Sequence, residues 1–434
     1  METVDSAFPS PALFHALLHR KKAAAAARGT VLHSTHSHYY CGCCNTNREE
    51  HHIRTKTDTT QPNEGRNDMQ FFIDSKELTA GIQSVVKALP VRTTMPILEG
   101  IFIEASGTEV HLKCSDLMLQ KECILPATVE EEGKAIVPGK LFSEIMRKAP
   151  AATATLRLAG KTLHIECGRF QSSIQCIEYE DFPEMRFAGD TYTIALDHTA
   201  CRDMIMDTVF ATAQDDSKPI LTGVLLEIDE KLSIVATDAY QFAMRSAPLK
   251  SAVPKHSVVV PGKTMLEVAR MMDETESDAE LTFTETHLKV DINASCLTAR
   301  LLDGDYIKYQ QILPKEQKTR VLLDRAQLME SIDRAQLMAR EGNNNIVMKF
   351  HRDKLNITAN SFVGNVDEEM DVQIVGEDIE IAFNPRYCMN ILKCMPDEKV
   401  YMEFNTPISP CVVRPETTEG YYYLIVPVRI YTQF

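Results

Sequence analysis

The same short phrases recur three times along this chain at an almost constant interval. Val137-Pro138-Gly139-Lys140 returns as Val260-Pro261-Gly262-Lys263 and, more loosely, as Phe383-Asn384-Pro385-Arg386, a step of 123 positions each time. A second phrase keeps nearly the same beat. Cys114-Ser115-Asp116, Ala236-Thr237-Asp238 and Thr358-Ala359-Asn360 each close an alternating, strand-like run, 122 positions apart. The period is too long for a solenoid unit and is the size of a whole domain. A length of 434 residues accommodates roughly three domains of about 150 residues. The expectation is therefore three tandem copies of one fold.

The same order of elements is read in each copy. A short strand opens it (Met69 to Ile73, Tyr192 to Ala195, Arg320 to Leu323) and a helix follows (Ser75 to Leu89, His198 to Ala213, Arg325 to Arg340). In the first helix Leu78, Ile82, Val85, Val86 and Leu89 recur at three- and four-residue steps, the mark of one apolar stripe. Alternating strands come next, such as Gly223 to Glu227 and Leu232 to Thr237. The Val-Pro-Gly-Lys phrase then opens a second helix, with proline in the first turn where its missing N–H costs nothing. Leu141, Ile145 and Met146 supply that helix's stripe in copy one, and Met265, Leu266, Val268 and Ala269 in copy two. More strands close the copy. Two helices with many strands per copy make an α+β fold, helices on one face of antiparallel sheets.

No run of about 18 apolar residues occurs, so no helix spanning a membrane is expected. Most of the twelve cysteines stand singly in hydrophobic runs, as at Cys114, Cys167, Cys201 and Cys388, the usage of small buried thiols in a reducing cytoplasm. Residues 1–68 stand outside the repeat and read as a disordered extension. Their Cys41-x-Cys43-Cys44 with neighbouring histidines fits no standard zinc finger, and Arg20-Lys21-Lys22 follows rather than precedes the apolar residues, unlike a secretory signal. The patterned region begins at Met69. The expected boundaries are 69–190, 191–317 and 318–434.

A net charge of −15 taken alone argues against nucleic acid. Its placement argues otherwise. Lys76, Lys87, Lys140, Arg147, Lys148, Arg202, Lys263, Arg270, Arg325, Arg334, Arg340, Arg386 and Lys393 lie on or beside the six expected helices, while acidic runs (Glu130 to Glu132, Asp273 to Glu280, Asp367 to Glu369, Glu377 to Glu380) fall in strand ends and loops. Helices sharing one basic surface on an acidic body would attract phosphate locally.

From Met69 onward the chain resembles the bacterial DNA polymerase III beta subunit family, the sliding clamps. The residues that carry the likeness are Thr94-Met95-Pro96-Ile97-Leu98, Ala236-Thr237-Asp238-Ala239-Tyr240, Leu302-Asp303-Gly304-Asp305-Tyr306 with Ile312-Leu313-Pro314, Phe383-Asn384-Pro385-Arg386-Tyr387, and Leu424-Ile425-Val426-Pro427-Val428-Arg429-Ile430. The resemblance implies a head-to-tail homodimer whose six clamp domains close a ring around double-stranded DNA, helices lining the hole. It implies partners in a clamp loader, the replicative polymerase and other proteins carrying a clamp motif, and a cytoplasmic location, with no membrane, metal or cofactor. Arg92 matches a DNA-touching lumen arginine and Lys140 replaces another; Lys263 and Arg270 extend that set. Asp215, Pro219 and Ile220 depart from the family pattern in a nearby loop. A peptide groove between the second and third domains would be walled by Leu221, Thr237, Phe242, Ile307, Ile312, Ile408, Leu424 and Val426, and edged by Asn384, Tyr387, Pro427, Val428 and Arg429. Ile307 and Gln311 stand where proline and a basic residue are common. The last four residues run past the usual end, and Phe434 is expected to cover part of the groove.

Catalysis is not expected. No Gly-x-x-x-x-Gly-Lys-Ser/Thr phosphate loop occurs, and no nucleophile elbow or paired-histidine site. Asp116 and Asp238 recur at matched positions, but equivalent positions in separate domains lie far apart, and turn formation explains both. The alternative is a non-catalytic repeat scaffold that does not encircle DNA.

Overall fold

The computed structural model describes residues 68–178, 181–215, 217–251, 253–273 and 275–429. Each copy begins the same way, and the reason is local. The opening strands Met69–Asp74, Tyr192–Leu196 and Thr319–Asp324 each run into an aspartate whose side chain caps a helix. Asp74 accepts from the Lys76 and Glu77 N–H groups (2.8 and 3.2 Å), Asp197 from Ala200 (3.0 Å) and Asp324 from Gln327 (2.8 Å). These caps satisfy N–H groups that a helix start leaves free. The helices they open are α1 (Ser75–Val85), α3 (His198–Val209) and α5 (Arg325–Arg340). The partners packed against them are α2 (Gly139–Lys148), α4 (Gly262–Met272) and α6 (Pro385–Lys393).

The second helices correct one expectation. Pro138 and Pro261 sit at the cap position itself, and glycine takes the first helical residue. A Cβ at Gly139 would meet the Leu89 side-chain tip (Cδ1) at 2.6 Å, so the close approach of helix and loop favours glycine there. In copy three Asn384 caps the helix through the Arg386 N–H (3.0 Å) and proline follows at the first turn. On α2, Met146 is buried and Ile145 packs on the core as expected, but Phe142 takes the inward place expected of Leu141, which is 50% exposed.

The strands form four antiparallel sheets, and two of them cross between copies. Leu119–Pro126 of copy one pairs with Ser295–Arg300 of copy two, inside an eight-stranded sheet. Gln241–Pro248 of copy two pairs with Tyr421–Ile425 of copy three, inside a nine-stranded sheet. The other two sheets, of five and four strands, belong to copies one and three alone. The main hydrophobic core lies between helices and sheets. A smaller apolar cluster around Phe242 and Leu424 occupies the other face of the nine-stranded sheet, as side-chain alternation along a strand requires. Cys114, Cys167, Cys201 and Cys388 are buried free thiols, and burial pushes Cys201 and Cys388 up to about 12.

The second sequence phrase has a clear job. Asp116 Oδ1 accepts from the Met118 N–H (2.9 Å) and Asp238 Oδ1 from the Tyr240 N–H (2.8 Å), closing the turns in which Leu117 and Ala239 have positive φ. In copy three the matching contact is Val363 N–H to Ser361 Oγ (3.3 Å). Core-facing Cys114 and Ala236 therefore correspond to Ala359, one residue later than the sequence step places it. Among the described residues no helix is long and apolar enough to cross a membrane.

Candidate peptide groove and nucleic-acid face

The residues expected to wall a groove converge at the junction of copies two and three. Phe242 lies opposite both Thr237 and Leu424 in the sheet, and Leu424 lies opposite Val412. Phe242 and Leu424 gather with Leu225, Val235, Val259 and Tyr309, and Ile307 and Ile312 pack against them from the loop before copy three. The Tyr309 ring lies 5.4 Å from that of Phe242, its hydroxyl bonded to Glu227. Thr237, Phe242 and Leu424 are each 2% exposed. The floor is therefore apolar and covered, with half-buried Ile307 and Ile312 at its margin.

The expected rim follows directly. The Val426 N–H donates to the Tyr240 carbonyl (2.9 Å) and the Val428 N–H to that of Ala382 (2.8 Å), which pins the C-terminal strand against both copies. Tyr387 stacks on Tyr240 with centroids 6.1 Å apart. Asn384 is half-buried at the start of α6, Pro427 is buried, and Arg429 is exposed. Burial raises the Tyr387 phenol above its ordinary value, so it stays neutral near pH 7. Burial also raises Asp238, partly offset by the N–H donors of Gln241 and Tyr240. Three expected apolar wall residues stand apart from the cluster, Val426 among them. Leu221 is buried in the short helical turn Pro219–Thr222 while its neighbour Ile220 packs on the cluster, and Ile408 is 59% exposed in the turn after Lys399–Phe404. Tyr309, Val412 and Tyr422 were not expected, although alternation along their strands places Val412 and Tyr422 on the Leu424 face. Phe434 lies outside the described residues, as do the cysteines and histidines of the first 67.

Equivalent positions explain why this face differs from its counterpart between copies one and two. There Gln120 stands for Phe242, Thr298 for Leu424, Lys289 for Val412 and Lys113 for Val235, by their matching strand partners. Lys113 Nζ reaches Glu122 and Glu184 (3.6 and 3.0 Å), and Gln120 Oε1 accepts the Met185 N–H (3.0 Å). That surface is charged and internally satisfied. Its apolar part is smaller: Phe102, the counterpart of Leu225, packs on Phe182 with ring centroids 5.3 Å apart.

The cations are less uniform than their sequence pattern suggests. Arg92 is exposed in the loop after α1, and Lys140 and Lys263 are exposed at matching places in the first turns of α2 and α4. No ion pair is recorded for these three among the described residues. Arg270 is exposed but pairs with Glu267, as Arg202 pairs with Asp273 (2.7 Å) and Arg334 with Glu368. Arg325 donates to the carbonyls of Asp397 and Leu392. Among the described residues the remaining helical cations, without an ion pair, are spread over every helix except α3, where Arg202 is paired: Lys76 on α1, Lys140, Arg147 and Lys148 on α2, Lys263 on α4, Arg340 on α5, and Arg386 and Lys393 on α6. No cluster of His, Cys, Asp or Glu among the described residues fits a metal.

Three tandem α+β copies joined edge to edge by their sheets define a clamp-type architecture, and the comparisons agree. Models of the DNA polymerase III beta subunit match in order: the N-terminal domain over residues 69–186, the central domain over 195–308 and the C-terminal domain over 310–429. The chain belongs to the DNA polymerase III beta subunit family, the beta sliding clamps. It is 31% identical over 378 residues to the beta sliding clamp of Bacillus subtilis, covering 84% of this chain and 100% of the relative. The clamp of Staphylococcus aureus is 29% identical over 377 residues, with the same coverage. The solved Bacillus subtilis sliding clamp superposes with a TM-score of 0.80 at 30% identity (84% of this chain, 100% of the other). The Pseudomonas aeruginosa clamp bound to griselimycin gives 0.79 at 26% (83% and 100%).

Proposed function

We propose that this chain is a DNA sliding clamp that works by topology: two copies close head-to-tail into a ring around duplex DNA, and the groove tethers a polymerase or another partner peptide. On this reading the domains span 69–190, 191–317 and 318–434, and the protein acts in the bacterial cytoplasm with a clamp loader.

The supporting observation is the unfinished edge. Leu119–Pro126, Gln241–Pro248 and Gly364–Asp371 are equivalent strands, as are Phe170–Gln175, Ser295–Arg300 and Tyr421–Ile425. Two of the three possible junctions are made within the chain. Gly364–Asp371 and Phe170–Gln175 each have one side unpaired among the described residues. Exposed Phe362 (88%), Val363 (58%) and Leu337 (56%) flank the first of these edges, and open edges with apolar neighbours are normally covered. A second copy fits both ends. Loose phosphate contacts from Arg92, Lys140, Lys263 and neighbouring cations would suit a ring that must slide, since base contacts would stall it. The apolar cluster around Phe242 and Leu424, entered past half-buried Ile307 and Ile312, suits a leucine or phenylalanine side chain, worth about 1.5–3 kcal/mol when buried. No catalytic constellation is needed for this role.

The test is retention on nicked circular DNA, loaded with a clamp loader and ATP, before and after the circle is cut. Protein that stays on circles and leaves linear DNA is the expected result. Retention indifferent to cutting would mean ordinary contact binding, and a folded protein that never loads would favour the scaffold alternative.

A further inference from the structure

Beyond Val412 the row that starts in the groove turns from apolar to charged. Across the nine-stranded sheet Phe242, Leu424, Val412, Glu403 and Arg320 lie opposite one another on consecutive strands, and Tyr401 lies opposite Arg414 in the next row. Glu403 is 6% exposed and accepts two cations: Arg414 Nη2 at 2.6 Å and Arg320 Nε at 3.3 Å. Each guanidinium also sits over an aromatic ring, Arg320 on Tyr401 at 3.6 Å and Arg414 on Tyr422 at 5.1 Å. Tyr422 packs on the groove cluster, its ring edge-on to Phe242 at 6.4 Å. One ring therefore links the peptide floor to the cations.

The charges do not balance. Two guanidinium groups share one buried carboxylate, and Arg414 Nε is buried with no hydrogen-bond partner among the described residues. Arg320 and Arg414 keep side-chain exposures of 52% and 39%, so their outer edges remain open to a second acid. Aromatic stacking and the Glu403 contact fix both side chains in advance, which lowers the entropy lost on binding an anion.

We propose that Arg320 and Arg414 form a carboxylate subsite that selects partner peptides with an acidic residue beside the apolar anchor. The inference rests on the groove reading above. Strands are spaced about 4.8 Å, so the cations lie roughly 10–15 Å from Leu424 across the sheet, or about three or four residues of extended peptide at ~3.3 Å each. The occupant is an aspartate or glutamate at that distance from the leucine or phenylalanine held against Phe242.

The test titrates three fluorescent peptides that share one apolar anchor and carry Asp, Ser or Lys three or four residues away, against the wild-type protein and the R414Q and R320Q variants. Each variant leaves one arginine on Glu403, and melting curves check folding. The Asp peptide should bind wild type about fivefold more tightly than the Ser peptide at low salt, with the Lys peptide weakest. That ratio suits a partly exposed charge pair. It should shrink as salt rises and approach one in either variant, while Ser-peptide affinity holds. A merely structural role for the arginines would leave the Asp-to-Ser ratio untouched. Equal wild-type affinity for all three peptides would overturn the subsite and leave the groove standing. Failure of every peptide to bind wild type would remove the groove and the subsite together.

Discussion

At the residue scale, aspartates divide the labour. Asp116 and Asp238 form the same turn, but only the second lies beside the candidate groove: Tyr240 lies in its turn and stacks on Tyr387. Asp116→Ala and Asp238→Ala should each cost about 1 kcal/mol of stability, the usual scale for a lost side-chain cap. Only Asp238→Ala should also weaken binding of an apolar peptide, by several-fold. Equal peptide affinity in the two variants would disconnect that turn from the groove. Asp207 makes a different prediction. Its carboxylate pairs with Arg245 at 3.1 Å, yet burial outweighs that attraction and raises its pKa to about 6 from an ordinary 3.8. Between those values the native state holds the proton more tightly than the unfolded chain, so this group's contribution to stability falls as pH rises from about 4 to 6. The melting temperature of wild type relative to Asp207→Asn should fall over that window, and a difference independent of pH would sink the assignment.

At the element scale, much was legible and the reasons are physical. Helix existence followed from periodic apolar residues: Leu78, Ile82 and Val85 are fully buried, and α5 keeps the expected bounds from Arg325 to Arg340. Helix ends were less legible. The last turns expected through Leu89 and Ala213 stop as α-helix at Val85 and Val209, the first passing into a 3-10 turn, because ends fray where packing rather than propensity decides. Pairing between distant strands left no local trace, so the joining of copies through Leu119–Pro126 and Gln241–Pro248 was invisible. Charge partners were equally hidden. Arg245 binds Asp207 on α3, and the equivalent contact in copy three is Glu368 with Arg334 on α5, the same strand-to-helix tie with its signs exchanged. A reading by residue type counts Arg334 as a free cation. The geometry spends it on a carboxylate. At the candidate groove, Phe242, Leu424, Ile307 and Ile312, expected to share one wall, lie in one apolar cluster, whereas Tyr309 and Val412 needed the sheet register.

At the scale of the whole molecule, the two internal junctions dictate a third. Arg245 lies opposite Tyr421 and Ala243 opposite Tyr423; Cys123 lies opposite Ser295 and Lys121 opposite Leu297. Carrying the same register to the open edges sets Glu368 opposite Phe170, Asp367 opposite Gln171 and Val366 opposite Ser172 of a second copy. Asp367 and Gln171 are both exposed, and directly opposed residues on antiparallel strands have Cβ atoms about 5 Å apart. A double variant, Gln171→Cys with Asp367→Cys, should therefore be joined by a short bis-maleimide into a species of twice the chain mass. Either single variant should give no such product. Because a head-to-tail ring makes this contact twice, complete reaction closes a covalent circle, which should then remain on nicked circular DNA through a denaturing wash and be released when that DNA is cut. Cross-linking that yields an open ladder of higher multimers would mean that the edges meet without closing. Cross-linking at a shifted pair, such as Gln171 with Asp371, would keep the ring but break the register inferred from the chain's own internal joints.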